Sequence, residues 1–411
     1  MHQASSRRTL IAAAVAAALT IAYVPAHAGD AASTAKVSLK DLGFELWGYM
    51  RSGFYAGTQG EPTGQYQLGG PLDHYRLGNE GDNYIEIGIG KKTDLGGGLK
   101  WGVYWMPTVY NGGTGTAQVY SDITGLDIAP TATFWGGQRY HRIQDVHILD
   151  NWLMQDGDNY GAGVDDLDIG LGKLNLAVYT EGNAGNKNDN TNNAKRFNVQ
   201  WHAIPTNPGG KLTITGAVIH GQFGKGSQGG AIGLLHNQDI TPDINNSLFL
   251  QASSGHAEIT GEFYGLDVGG VAQPGARQAR IVDSVNWQVG AFGGQAVIGY
   301  QSIKQTDATS TLHDFSMGGR GSYGVARHVK LLGEVGYNHL TSTNAASQNL
   351  IKETLAVALS PDTKFWTRPE LRAYVTHANW NDAAGLANPT GFGRTGRTDA
   401  TSYGLQVEAW W

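Results

Sequence analysis

The chain has 411 residues, a formal charge of -6 and no cysteine. Disulfides, thiolate chemistry and cysteine-based zinc sites are therefore excluded, and the acidic balance argues against a nucleic-acid partner. Glycine occupies 60 positions, and beyond residue 28 no run of 18 apolar residues occurs, which rules out helical membrane spans but not a barrel whose alternate residues meet lipid.

Residues 1–28 read as a secretory signal, with Arg7 and Arg8, an apolar run from Leu10 to Val24, and the small-residue site Ala26-His27-Ala28. Its removal leaves 383 residues and, with two arginines gone, a charge of -8. A short polar lead-in, 29–42, follows. Residues 43–411 contain no Pro-rich, Ser-rich or charged linker, which favours one large closed sheet.

The first strand, Phe44 to Tyr55, sets Phe44, Leu46, Gly48, Met50 and Phe54 against Glu45, Trp47, Tyr49, Arg51 and Tyr55. One face suits lipid; the other is polar and aromatic. The alternation returns in Tyr84 to Gly90, in Leu167, Ile169 and Leu171, and in Leu174, Leu176 and Val178. Further copies are Phe197 to Trp201, Thr213 to Ile219, Ala296 to Tyr300, Leu332 to Tyr337, Ile351 to Leu359, Phe365 to Thr376 and Tyr403 to Trp411. Turn clusters such as Asn207-Pro208-Gly209-Gly210 and long polar loops at 182–194 and 381–400 separate them. Strands of about ten residues joined by tight turns and long loops, ending on an aromatic, predict an all-β, antiparallel transmembrane barrel.

By alternation, Tyr49, Tyr84, Trp366 and Trp410 lie on the non-lipid faces. Charged residues share those faces or flank them: Arg51, Arg76, Glu86, Arg368, Glu370, Arg372 and Glu408. Aromatics facing a water-filled interior lose the burial that normally accounts for them. Residues 134–173 concentrate the same ingredients, with Arg139, Tyr140, His141 and Arg142 followed by Asp145, His147, Asp150 and Trp152. Sugars need that combination, since their hydroxyls want charged hydrogen-bond partners and their C–H faces want flat apolar surface. An aromatic rail between fixed charges would let a linear oligosaccharide slide.

Catalysis finds little support. No G-x-S-x-G or H-E-x-x-H motif occurs, His141 and His147 read as structural, and Asp165, Asp166 and Asp168 read as turn or rim residues rather than a glycosidase pair. Neither a metal nor a cofactor is expected.

Seven segments resemble, in order, the maltoporin (LamB-type) sugar porins. They are WGYMRSG, YRLGNEGDNYIEI, the 134–176 stretch, NPGGKL, LLGEVGYNHL, FWTRPELRAYVTHANW and YGLQVEAWW. The resemblance implies an 18-stranded barrel with an inward-folded constriction loop, in a bacterial outer-membrane homotrimer. It implies an aromatic slide at Tyr49, Tyr84, Trp366 and Trp410, a polar track at Arg51, Arg76, Glu86, Asp145 and Asp150, and Trp152 at the constriction where maltose-specific members carry Tyr.

Departures bear on the substrate. The loop that lends a neighbouring subunit a Trp, about 107–125 here, offers only Tyr110 and Tyr120. A slide Phe expected near 248 appears as Leu248, with Phe249 facing outward by alternation. Ile143 stands where the constriction arginine belongs, so Arg142 reaches the channel only through a bulge. The expected function is facilitated diffusion of maltose, malto-oligosaccharides or related carbohydrates. The alternatives are a general diffusion porin, or a porin for sucrose or another glycoside.

Overall fold

The computed structural model describes residues 42–57, 65–155, 159–180, 194–221, 228–263, 276–304, 310–392 and 396–411. The signal segment 1–28, all but the last residue of the 29–42 lead-in, and the polar loop at 182–193 lie outside them.

Eighteen antiparallel strands form one sheet that closes on itself when the first, Phe44–Gly57, pairs with the last, Asp399–Trp410. Met50 opposes Ala409 and Tyr49 opposes Trp410, so closure joins residues some 360 positions apart. The barrel sheet thereby keeps no open edge to template aggregation. The predicted lipid face is the observed outer face: Leu46, Phe54, Val218, Ile232, Ile298, Val335, Leu355 and Leu405 are exposed, while their strand neighbours turn inward. Each strand therefore reads as apolar outside and mixed inside, as a barrel in lipid requires.

At one end the connections are short. Gly209, at φ 77°, takes the left-handed conformation in the Asn207-Pro208-Gly209-Gly210 turn between the strands Lys195–Pro205 and Gly210–His220. At the other end most are longer, and two fold into the bore. One is residues 65–83. The other is residues 139–155, which carry their own hairpin, Arg142–Val146 against Asn151–Gln155, with a 3-10 turn, His147–Leu149, at its tip. The polar segment after Trp380 forms two short helices, Asp382–Ala387 and Pro389–Phe392, the first capped by Asn381.

The two inward segments make a core inside the barrel. Leu72 and Tyr75 from the first, and Val146, Ile148, Leu149, Leu153 and Met154 from the second, pack on Leu235, Phe249, Val282 and Val297 of the wall. Each fully buried aliphatic here contributes about 1.5–3 kcal/mol. Polar anchors fix the register: Asp314 accepts from the Leu72 N–H at 2.9 Å, Glu334 from the Leu77 N–H at 2.9 Å, and Gln295 from the Ile148 N–H at 3.0 Å. The segments also bind each other, the Arg76 N–H donating to the Ile148 carbonyl at 3.0 Å.

Several local expectations are corrected. Phe249 faces inward and is 0% exposed; the strand Ile244–Ser254 turns Leu248, not Phe249, outward, and the ring serves the internal core. The 107–125 segment is no loop but most of a hairpin, Leu99–Tyr110 and Gly113–Leu126, closed by left-handed Asn111 and Gly112. Ile169 and Leu171 lie in a turn beyond the strand Tyr160–Asp168. Trp366 precedes its strand, which begins at Glu370.

Candidate functional site

The inward segments pack along the wall from the strand Gly229–Thr241 round to Glu370–Trp380 and leave an opening beside Tyr49, Tyr84 and Trp410. There, all eleven residues expected to line the channel meet around one cavity of about 460 Å3: Tyr49, Tyr84, Trp366, Trp410, Arg51, Arg76, Glu86, Arg142, Asp145, Asp150 and Trp152. That volume suits a small-molecule site. Tyr110 and His147 join them.

The aromatics form a line because neighbouring strands present them at matched register. Tyr110 opposes Tyr84, Tyr84 opposes Arg51, and Tyr49 opposes Trp410. Ring centroids lie 6.3 Å apart for Tyr110 and Tyr84 and 6.0 Å for Tyr84 and Tyr49. Beyond Trp410, the imidazole of His147 sits 5.7 Å away edge-on and 5.1 Å from Trp366. Trp366 is carried by the 360–369 turn at the short-turn end, where Phe365 anchors it in the internal core. The line therefore runs from the long-loop end of the bore to the opposite end.

Charged groups beside the line are held rigidly. Arg51 makes a two-pronged contact with Asp82, both at 2.8 Å, and reaches Asp150 at 2.9 Å. Arg76 contacts Glu80 and Glu408, each at 2.9 Å, and donates to the Tyr49 hydroxyl at 2.5 Å. Glu408 also takes Arg368 at 2.8 Å and Arg372 at 2.5 Å, so one buried carboxylate organises three guanidiniums behind the rings. The Arg368 guanidinium lies 4.2 Å from the Trp410 centroid, backing its indole by a cation–π contact. Tyr84 donates to Glu86 at 2.6 Å.

Asp150 occupies the left-handed region at φ 50°, a conformation Asp tolerates better than most residues. The turn aims its carboxylate at Arg51 and Arg76. Its side chain stays 31% accessible; enclosure works against the charge, yet Arg76 and Arg51 outweigh it and hold the carboxyl below the usual range. Enclosure dominates at Asp145, whose carboxyl is pushed up to about 6 despite Arg76. Burial, with Arg76 next to it, drives the His147 imidazole well below its ordinary value, so a neutral ring stands between Trp366 and Trp410.

The bulge that Arg142 requires is present. Arg142 pairs with Gln155 while Gln144 pairs with Met154, so two residues stand opposite one. Ile143 thereby packs on the internal core and Arg142 turns to the cavity. Its guanidinium lies 3.8 Å from the Tyr140 centroid and 5.2 Å from that of Trp152, with Glu86 at 3.6 Å. Asp165, by contrast, is buried against Arg139 at 2.5 Å and accepts from the Trp135 indole at 3.2 Å, a structural arrangement.

Nothing in the sequence pattern marks His147 as lining the channel, or Asp82 as the anchor of Arg51. His147 reads as structural beside His141, and Asp82 sits unmarked in a polar run. Tyr110, expected in a loop, ends the strand Leu99–Tyr110, and the phase it shares with Tyr104 and Met106 turns it inward.

Among solved structures, the chain is similar to OccK10 (OpdN) of Pseudomonas aeruginosa, with 10% identity, TM-score 0.49, and coverage of 89% of this chain and 98% of that one. It is similar to an anion-selective porin of Comamonas acidovorans at 11% identity and TM-score 0.48, covering 89% and 99%. The trimer form of OmpT of Vibrio cholerae gives 10% identity and TM-score 0.40 over 90% and 99%. The family model described as LamB porin matches residues 44–411. With nearly the whole barrel inside that match, and the barrel closed at eighteen strands, the chain belongs to the LamB porin family and is an outer-membrane porin.

Proposed function

We propose that this porin is sugar-selective, that it passes maltose, malto-oligosaccharides or related carbohydrates by facilitated diffusion, and that it works as a homotrimer. The observation that carries the reading is the line Tyr110, Tyr84, Tyr49, Trp410, Trp366, flanked by Arg51, Arg76, Glu86, Asp145 and Asp150. Sugar rings trade one stacking contact for the next along the line, while hydroxyls exchange partners among charges that salt bridges already hold in place. Because those charges are prepaired, the site asks little reorganisation of itself. Arg142 and Trp152, 5.2 Å apart on the constriction hairpin, offer one polar and one apolar contact to a passing sugar.

Transport requires a site that fills and empties. Binding of about 4 kcal/mol, near millimolar, meets both needs. The test is conductance of the purified protein in a planar bilayer, titrated with maltose, maltotriose, sucrose and cellobiose. Saturable block by one series, growing with chain length, supports the proposal and identifies the linkage. Indifference to every sugar would leave a general diffusion pore.

A further inference from the structure

A cavity of about 860 Å3 lies outside the bore. It lies on the outer face of the strands Gly229–Thr241, Ile244–Ser254, Arg277–Val289 and Phe292–Lys304, at their long-loop end. Its floor residues Ala252 and Ala279 are exposed, whereas Gln251, Ser253, Gln278 and Arg280 beside them are buried toward the interior. In a porin the long-loop end faces outward from the cell, so the cavity opens at the level of the outer leaflet's headgroups.

Its rim is cationic. Arg277 begins one strand and Lys304 ends the next, and the two are direct cross-strand partners. His313 of the following strand completes the rim, stacked on Tyr300 at 6.0 Å. Like charges placed opposite each other repel, and among the described residues neither Arg277 nor Lys304 has an ion-pair partner. The cavity continues toward the membrane midplane into a second one of about 390 Å3 that shares Ala252 and Ala279 and adds Leu250 and Ile281. Cations above and an apolar seat below match the two ends of one kind of molecule.

We propose that this groove is a specific seat for a phosphorylated, multiply acylated glycolipid of the outer leaflet. Its phosphate lies between Arg277 and Lys304, and one acyl chain runs down over Ala252 and Ile281. The site needs only the outer-membrane placement and is independent of what the channel carries.

The test uses the full-length protein, stripped of lipid in detergent and titrated with lipid A or with phosphatidylethanolamine, reading the unfolding temperature. Lipid A raises that temperature for the wild type and phosphatidylethanolamine does not. The Arg277→Gln/Lys304→Gln double variant binds lipid A roughly 10- to 30-fold more weakly, as expected for two interfacial cations. Ala252→Trp, which fills the seat and keeps both cations, also loses affinity. Each variant keeps the wild-type single-channel conductance, since both alter the outer wall alone. Equal response of the wild type to the two lipids, or an undiminished response to lipid A in both variants, overturns the proposal. So does a changed oligomeric state in either variant, which would make the groove a subunit contact. The comparison of lipids on the wild type decides the matter even where a variant folds poorly.

Discussion

The two sides of the bore are built from the same kind of inward face and end in opposite states. On the wall formed by the strands Gly229–Thr241, Ile244–Ser254, Arg277–Val289 and Phe292–Lys304, Phe249 and Val282 lie beneath the inward segments and are fully buried. On the closure side, Trp410 and Tyr84 project from equivalent strand phases and stay partly open, as does Trp366 from its turn at 40% exposure. Nothing local separates Phe249 from Trp410. What differs is whether a loop docks over the ring, so the channel is the part of the barrel interior that the loops decline to cover.

The strongest way to break this contrast is through the carboxylate behind the rings. Glu408→Gln leaves the guanidiniums of Arg76, Arg368 and Arg372 without their common counter-charge, and breaking such a buried network costs about 3–5 kcal/mol. Unfolding in urea, followed by the gel shift between folded and heat-denatured forms, should show that loss together with weaker sugar block. Wild-type stability would mean that the cluster is hydrated and not buried.

Leu149→Ala attacks the packed side instead. It removes a core residue at the tip of the constriction hairpin, at a cost of about 2–5 kcal/mol, and should loosen the hairpin and raise conductance and its noise. Unchanged conductance would show that Ile148 and Leu153 hold the hairpin without it.

On the open side, Trp366→Ala and Trp410→Ala each delete a stacking face. Aromatic contacts of this kind are worth about 0.5–1.5 kcal/mol, so each should weaken sugar block roughly 2- to 10-fold while leaving open-channel conductance equal or higher. A pore whose sugar block survives both substitutions does not use the line of rings.

The smallest effect is electrostatic. Burial raises the Asp145 carboxyl to about 6, so lowering the pH through that value neutralises it and leaves Arg51, Arg76 and Arg142 less opposed. Cation preference, read as reversal potential across a salt gradient, should fall between pH 7.5 and 5. Asp145→Asn should flatten that change; an unaltered pH response would assign it to another group.

Much was readable from sequence, because a strand's side chains alternate with period two and the lipid demands an apolar residue at every second position. That rule placed Leu46 and Leu405 outside, and Tyr49, Tyr84 and Trp410 inside. It misplaced Trp366, which the strand reading put on the wall and which instead rides a turn. It also misjudged Phe249, where the phase had been counted from Leu248.

Other features depend on partners far away in the chain and could be decided only by tertiary structure. The first inward segment, 65–83, is held by Asp314 and Glu334, more than 240 positions later. Arg142 enters the channel because a bulge against Gln155 and Met154 rotates it there while Ile143 finds the internal core. Alternation assigns a side chain to the inside or the outside of the barrel. Whether an inward side chain becomes core or channel depends on which loop comes to lie upon it, and that is settled by packing across the whole bore.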